Sequence, residues 1–506
     1  MLQRILKMIA ALSMSIGLNL ILQFLLPPAF IHYYGVKRYG EWLVLSATVS
    51  YLGTLNFGIT TYASNQLTML RKRGEMEGYK ELQGSTLAML LGMIGIGLAI
   101  ISSAFFLPLP RLLHLSTMGP TDAMAAVFFL GLLAMTNIFA GYYNNLFLVV
   151  ERAHTGSSWS TARVMSSTLV CVPLAMLRVN FSVIALFQFS AALVVTAMTI
   201  VDLKRRLGDL PLGLSGANWK TVKLSFAPSG MFAMIFSQQF LLFQAPVIML
   251  NWLIGSEAVV LFSISRTILS TARWMLQMIT NAIAPEITLS FAERNMSRLL
   301  NIFHYSEKVV FALIPVVNLG AFLASPLLLA IWLHKPSLFD PKAYALMALV
   351  SSAMSMREHK QFFQFSTNTH QRLSVIVFFG NILMIAVSIP CTMKFGLYGF
   401  MVVWLVSEVS QMGLIYHENK KLFNNDASIS FFPVIKLALV MATSLPICFG
   451  LVDFARARSL LLVGVVAIVG TLLLGVETYS VFDIRSVWGQ FWMRMRKSAP
   501  VELTGG

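Results

Sequence analysis

Apolar runs of roughly 20 residues recur along the whole chain, each closed by Gly, Pro or a cluster of charge. Fourteen can be marked out, at 9–31, 42–65, 84–107, 123–150, 158–177, 181–203, 225–250, 258–284, 309–333, 343–368, 373–393, 398–417, 433–452 and 460–480. A helix of ~20 residues rising 1.5 Å per residue crosses the ~30 Å hydrocarbon core of a bilayer, so each run is predicted to be a spanning helix. The fold class expected is therefore an all-α polytopic membrane protein with about 14 transmembrane helices. The first run is too long for the apolar part of a signal peptide and has no small-x-small site before Pro27-Pro28, so it is expected to be retained as a span. No loop has the length of a domain, the longest outer one, 108–121, having fourteen residues.

Composition agrees. Of 506 residues, 57% are apolar and 11% charged, against about 25% charged in a soluble globular protein. The mean hydropathy is +0.75, so lipid must be the solvent for most of the surface. The net charge of +16 would suggest nucleic acid in a soluble protein, but here it sorts by side. With the N-terminus inside, the inner loops carry 22 Lys and Arg and the outer loops 9. That asymmetry predicts cytoplasmic N- and C-termini, and no nucleic-acid partner. Cys171, Cys391 and Cys448 lie inside apolar runs without pairing or ligand spacing, so neither a disulfide framework nor a metal site is expected.

Features recur at a fixed distance. Gly35 and Gly255 are 220 residues apart, as are Arg152 and Arg372, while Arg178 and Lys394 are 216 apart. The parse that follows is an N-terminal six-helix lobe at 1–206, a cytoplasmic linker at 207–224, a C-terminal six-helix lobe at 225–420, and an extra helix pair with a cytoplasmic tail at 421–506. Six spans return the chain to its starting side, so both lobes share one orientation, in a pseudo-two-fold arrangement.

The polar residues inside spans carry the candidate chemistry. In span eight, Ser263, Arg266, Ser270, Arg273, Gln277 and Asn281 are spaced 3 or 4 apart and form one helical stripe. Each Arg would cost ~2.5–3.5 kcal/mol at the centre of a lipid-exposed helix, so the stripe must face protein or water. In span ten, Arg357, Lys360, Gln361, Gln364 and Asn368 make a second stripe, with Glu358 on its border and His359, read as a packing histidine, nearly opposite. Arg266, Arg273, Arg357 and Lys360 are the candidate substrate-binding cations, lined by Gln277, Gln361 and Gln364. Glu358 and Glu408 are candidates for coupling or charge balance. Four cations against two anions leave an excess that a dry interior would not tolerate, which favours a hydrated cavity for an anionic guest such as a phosphate or an acidic sugar. The competing reading is a set of internal ion pairs, Arg357 or Lys360 with Glu358 or Glu408, that lock helices together.

The first half is neutral by comparison. Ser15, Asn19 and Gln23 align on span one, Asn56 lies in span two, and Asn137, Gly141 and Asn144 align on span four. Asn19, Gln23 and Asn144 are candidate hydrogen-bond partners for sugar hydroxyls, although such residues also glue helices. Gly92, Gly95 and Gly97 sit in mid-span with no strand before them, so close helix packing is expected rather than a nucleotide loop. No Walker loop, zinc-protease motif or large outer loop with acid/base groups is present, so neither an enzyme nor a cofactor is expected.

The segment Pro27-Pro28, Tyr34-Gly35-Val36-Lys37-Arg38-Tyr39-Gly40-Glu41-Trp42, then Tyr51-Leu52 and Asn56-Phe57-Gly58-Ile59, resembles the opening of polysaccharide and O-antigen flippases of the multidrug/oligosaccharidyl-lipid/polysaccharide exporter superfamily. Phe395-Gly396-Leu397-Tyr398-Gly399 is similar to that family too. The resemblance implies two six-helix bundles around a V-shaped cavity with alternating access. It also implies an undecaprenyl-diphosphate-linked oligosaccharide as substrate for lipopolysaccharide-type surface polysaccharide, and an ion gradient, of protons or sodium, as drive. Membrane lipids, a polysaccharide polymerase and chain-length machinery are the implied partners. Many relatives have Asp where this chain has Asn56, and spans thirteen and fourteen are more like the longer members, lipid II flippases among them. A cation antiporter of the multidrug branch, which would want carboxylates in its cavity, and a membrane glycosyltransferase or ligase are the alternatives.

Overall fold

A computed structural model describes residues 2–56, 59–150, 152–208, 211–367, 369 and 371–485. Every regular element among the described residues is a helix, as a bilayer requires, because a helix satisfies its backbone N–H and C=O groups internally. The protein is an all-α polytopic membrane protein. Eight of its helices among the described residues are long and apolar enough to span by themselves.

Two compact units divide the chain, one of Met1–Ser263 with Asn381–Leu397, the other of Ile264–Gly380 with Tyr398–Gly506. The first contains α1 (Leu2–Tyr34), α2 (Val36–Ser50), α3 (Ile59–Arg73), α4 (Met76–Ser103), α5 (Leu109–Leu112), α6 (Pro120–Leu146), α7 (Ala153–Leu169), α8 (Cys171–Met176), α9 (Phe181–Leu207), α10 (Trp219–Phe243), α11 (Ala245–Leu253) and the start of α12 (Ser256–Ala292). Helix α6 packs against α2, α4, α7 and α9. Two approaches to it are close: a Cβ on Gly131 would lie 2.5 Å from Ile101, and one on Gly156 of α7 2.2 Å from the Asn144 carbonyl oxygen. The rings of Phe30, Trp42 and Phe181 cluster with centroids 5.1–6.0 Å apart. Beside them the buried Glu41 accepts from the backbone amides of Ser116 at 2.7 Å and Thr117 at 2.8 Å, pinning the loop ahead of α6.

Three of the expected single spans are broken. Span two becomes α2, a 3-10 turn at Tyr51–Asn56 and α3; span five becomes α7 and α8; span seven becomes α10 and α11. Pro173 lies in α8 and Pro246 in the first turn of α11. Proline supplies no N–H to the preceding turn, so the ladder restarts there.

The second unit contains the rest of α12, α13 (Met296–Leu328) with a π-helical turn at Leu329–Leu333, α14 (Pro341–Ser366), most of α15 (Gln371–Leu422), α16 (Phe432–Arg456) and α17 (Leu460–Val481). Helix α15 joins spans eleven and twelve across a break at Gly396, whose φ of 62° and ψ of −147° are not helical. Helices α13 and α17 pack closely: a Cβ on Gly320 would meet Thr471 at 2.9 Å and one on Gly470 would meet Leu323 at 2.7 Å. Outside the spans, Asp426 accepts from the hydroxyl and amide of Ser428 at 2.6 and 2.8 Å, and these bonds hold its carboxyl below the usual range.

The connections carry the internal repeat more clearly than the helices do. Left-handed backbone occurs at Gly35 and Gly255, at Gly74 and Arg294, and at His114 and His334, each pair 220 residues apart, and at Arg178 and Gly396, 218 apart. The turns at Gly74 and Arg294 also share their hydrogen bonds. Gly74 N donates to Arg71 O and Glu75 N to Leu70 O; Arg294 N donates to Phe291 O and Asn295 N to Ser290 O, all at 2.9–3.1 Å. A helix that stops and turns needs a left-handed residue at that place, normally glycine. An arginine whose φ is also positive, 54° against 75° at Gly74, therefore marks the turn, and not the residue type, as the repeated feature.

Candidate functional site

Helix α14 is the axis of the candidate site. Asp340 caps it by accepting from the amides of Lys342 at 3.0 Å and Ala343 at 3.2 Å, and takes the Tyr398 hydroxyl of α15 at 2.5 Å. Residues 350–357 are buried on every face, the mark of a helix enclosed by others. Its run Arg357-Glu358-His359-Lys360 therefore reaches a different neighbour with each side chain.

Glu358 turns to α12, where it accepts from Arg273 Nη1 at 2.5 Å and Gln277 Nε2 at 2.8 Å. Arg357 turns to α15: its Nε donates to Glu408 Oε2 at 2.5 Å, its Nη1 to Gln361 Oε1 at 3.0 Å, and Trp404 Nε1 completes the Glu408 carboxylate at 3.2 Å. Lys360 turns to α13 and pairs with Glu307, its ammonium also lying 4.6 Å from the Phe303 ring centroid. His359 sits between Thr280 and Ser306, as a packing histidine would. One turn on, Gln364 Nε2 donates to Asn419 Oδ1 at 2.9 Å, and Asn419 Nδ2 donates back to the Lys360 carbonyl at 2.9 Å.

The expected excess of cations thus changes. Arg273, Arg357 and Lys360 each meet a carboxylate, because Glu307 supplies a third anion that the sequence-based count left outside span nine. Its signal was there: Leu299, Phe303, Val310 and Ile314 form one apolar stripe, and Glu307 lies four residues after Phe303 on that stripe. Arg266 is half-buried two turns before Arg273 on α12. The three pairs are not equally enclosed. Glu408 is fully buried and Glu307 is 5% exposed, whereas Glu358 is 23% exposed. The Arg273–Glu358 pair is the most exposed of the three.

In the first unit, Gln23 and Asn144 each bury a side-chain oxygen that has no hydrogen-bond partner among the described residues. The side chains of Ser15, Asn19, Asn56 and Asn281, and residue Asn368, lie outside the described residues. A further group went unweighed at the sequence level. Arg163 of α7 is buried and donates to the amide oxygen of Asn137 rather than to a carboxylate. Gly92 and Gly95 differ from expectation, since a Cβ on either would meet nothing within 4 Å, so among the described residues no helix packs closely on them.

No protein-family model and no curated protein matches the sequence. Solved structures do. A lipid II flippase, MurJ, in an inward closed conformation is similar over 95% of this chain and 99% of its own, with TM-score 0.68 and 12% identity. An inward-facing multidrug resistance MATE family transporter of the MOP superfamily is similar over 82% of this chain and 96% of its own, with TM-score 0.62 and 12% identity. The MATE multidrug transporter DinF-BH follows with TM-score 0.53 and 16% identity over 82% of this chain and 96% of its own. The chain therefore has the fold of a group of membrane transporters and flippases.

Proposed function

We propose that the protein is a flippase for a lipid-linked oligosaccharide, moving an undecaprenyl-diphosphate-linked sugar unit from the cytoplasmic to the outer leaflet of the inner membrane by alternating access, with both termini cytoplasmic. O-antigen-like surface polysaccharide is the product it serves, with a polymerase and chain-length machinery as downstream partners. The observation that supports this most is Arg273, a buried arginine inside a membrane helix whose carboxylate partner is still partly exposed. A diphosphate carries more charge than Glu358 and presents the planar oxygen pairs that guanidinium binds in two-pronged fashion, so it can displace the carboxylate. Arg266 on the same helix adds a second charge. Arg357 and Lys360 hold the helix that carries Glu358, and Gln277 supports that carboxylate at 2.8 Å. Glu408, enclosed with Arg357, is the acid we assign to coupling with a proton or sodium gradient.

A cation antiporter is favoured by one observation: three carboxylates, Glu307, Glu358 and Glu408, do lie inside the second unit. Reconstitution separates the two readings. Liposomes holding the protein should expose a lipid-linked oligosaccharide to an external glycosidase faster than empty ones, and Arg273→Ala should abolish the gain. Efflux of organic cations without movement of the lipid-linked sugar would replace the flippase by the antiporter.

A further inference from the structure

The first unit carries an open apolar groove between α4, α6 and α9, enclosing about 380 Å³ and lined by Leu91 and Leu98, Met135 and Phe139, and Leu193 and Ile200 among others. We infer that this groove seats one acyl chain of an anionic membrane phospholipid, with the lipid phosphate held at Lys204.

The groove has no polar demand of its own. Its two hydroxyls are spent on their own helices, Thr136 on the Leu132 carbonyl at 2.9 Å and Thr196 on the Ala192 carbonyl at 2.7 Å, so its guest is hydrocarbon. Gly95 is exposed beside the lining residues Leu91 and Leu98, one helical turn from each, and a Cβ there would meet nothing within 4 Å. A long side chain at 95 would reach over the groove from its edge.

Length and charge select the guest. Along α9 the lining runs from Phe189 to Ile200, about 17 Å at 1.5 Å per residue, close to half of the ~30 Å hydrocarbon thickness. One leaflet's acyl chain has that length, and a long polyprenyl tail exceeds it. Lys204 follows Ile200 by one turn on the same face of α9 and is exposed, as is Arg205. Arg206 is instead tied to Asp202 at 2.8 Å. A lysine at the end of a one-leaflet groove sits where a headgroup phosphate lies, and each such cation near the surface favours a net-negative lipid.

Spin-labelled phospholipids report this directly. The full-length protein in phosphatidylcholine nanodiscs should immobilise chain-labelled phosphatidylglycerol in preference to chain-labelled phosphatidylcholine. Lys204→Gln should reduce that preference about fivefold. Gly95→Leu should remove the preference for phosphatidylglycerol, and since a Cβ there meets nothing within 4 Å, the variant should keep the wild-type helical content. Gly95→Ala, too short to reach over the groove, should behave as wild type. Equal immobilisation of the two lipids, or a preference untouched by both Lys204→Gln and Gly95→Leu, would overturn the assignment. So would displacement of the label by undecaprenyl phosphate but not by unlabelled phosphatidylglycerol, which would give the groove to a polyprenyl carrier. None of these readouts involves transport, so the assignment stands or falls apart from the flippase reading.

Discussion

Lys360 of α14 and Glu307 of α13 form an ion pair in which neither side chain is more than 5% exposed, between the rings of Phe303 and Phe311. In such surroundings the pair matters less for net stability than for what happens when one partner is lost. Glu307→Gln leaves an ammonium buried without its counter-charge and should destabilise the second unit by about 3–5 kcal/mol. Pairing it with Lys360→Met should restore most of the loss. Thermal unfolding of the purified variants checks both, and an unchanged transition for Glu307→Gln would mean that water reaches Lys360.

On the flippase reading a lipid diphosphate competes for the Arg273–Glu358 pair, which should therefore behave differently. Arg273→Lys should keep part of the transport activity and Arg273→Ala almost none, at equal protein levels in the membrane. Glu358→Gln should bind a lipid diphosphate more tightly than wild type, having no carboxylate to displace, and release it more slowly. Weaker binding in Glu358→Gln would place the substrate elsewhere.

Glu408 is enclosed by Arg357 and Trp404. Replacing it by Gln leaves Arg357 without its counter-charge and should cost stability as Glu307→Gln does; the folded variant should keep substrate binding and lose the dependence of transport on the gradient. Reconstituted transport measured with and without an imposed proton or sodium gradient is the check. A variant that still responds to the gradient would make Glu408 a purely structural partner of Arg357.

Three glycines should respond in opposite directions to the same methyl group. Gly156→Ala drives a Cβ into the Asn144 carbonyl, a backbone atom that cannot move aside, and should cost about 1–3 kcal/mol. Gly95→Ala enters open space and should stabilise its helix by roughly 0.5–1 kcal/mol. Gly396→Ala forces a side chain into backbone geometry with φ of 62° and ψ of −147°, at a cost of about 1–3 kcal/mol. Unfolding midpoints of the three variants, measured side by side, should order Gly95→Ala above wild type and the other two below it.

The all-α class and the apolar spans were legible because they depend on local quantities. The length of an apolar run, set against the thickness of the bilayer, fixes where helices cross, and turns that need left-handed backbone recur at a constant offset from Gly35, Gly74 and His114. The stripe on α12 and the polar run on α14 were legible for the same reason, since helical periodicity is a property of one segment. The partners of those residues were not. Whether Lys360 meets Glu307 or Glu408 depends on which helix stands on each side of α14, and one turn separates directions that periodicity alone merges into a single stripe. Glu307 was missed because hydropathy started its span two residues too late, while packing carries α13 back to Met296. Gly92 and Gly95 show the same limit from the other side. Small residues in a membrane helix permit close approach, but only the arrangement of α4, α6 and α9 decides whether a helix takes the space or leaves it open.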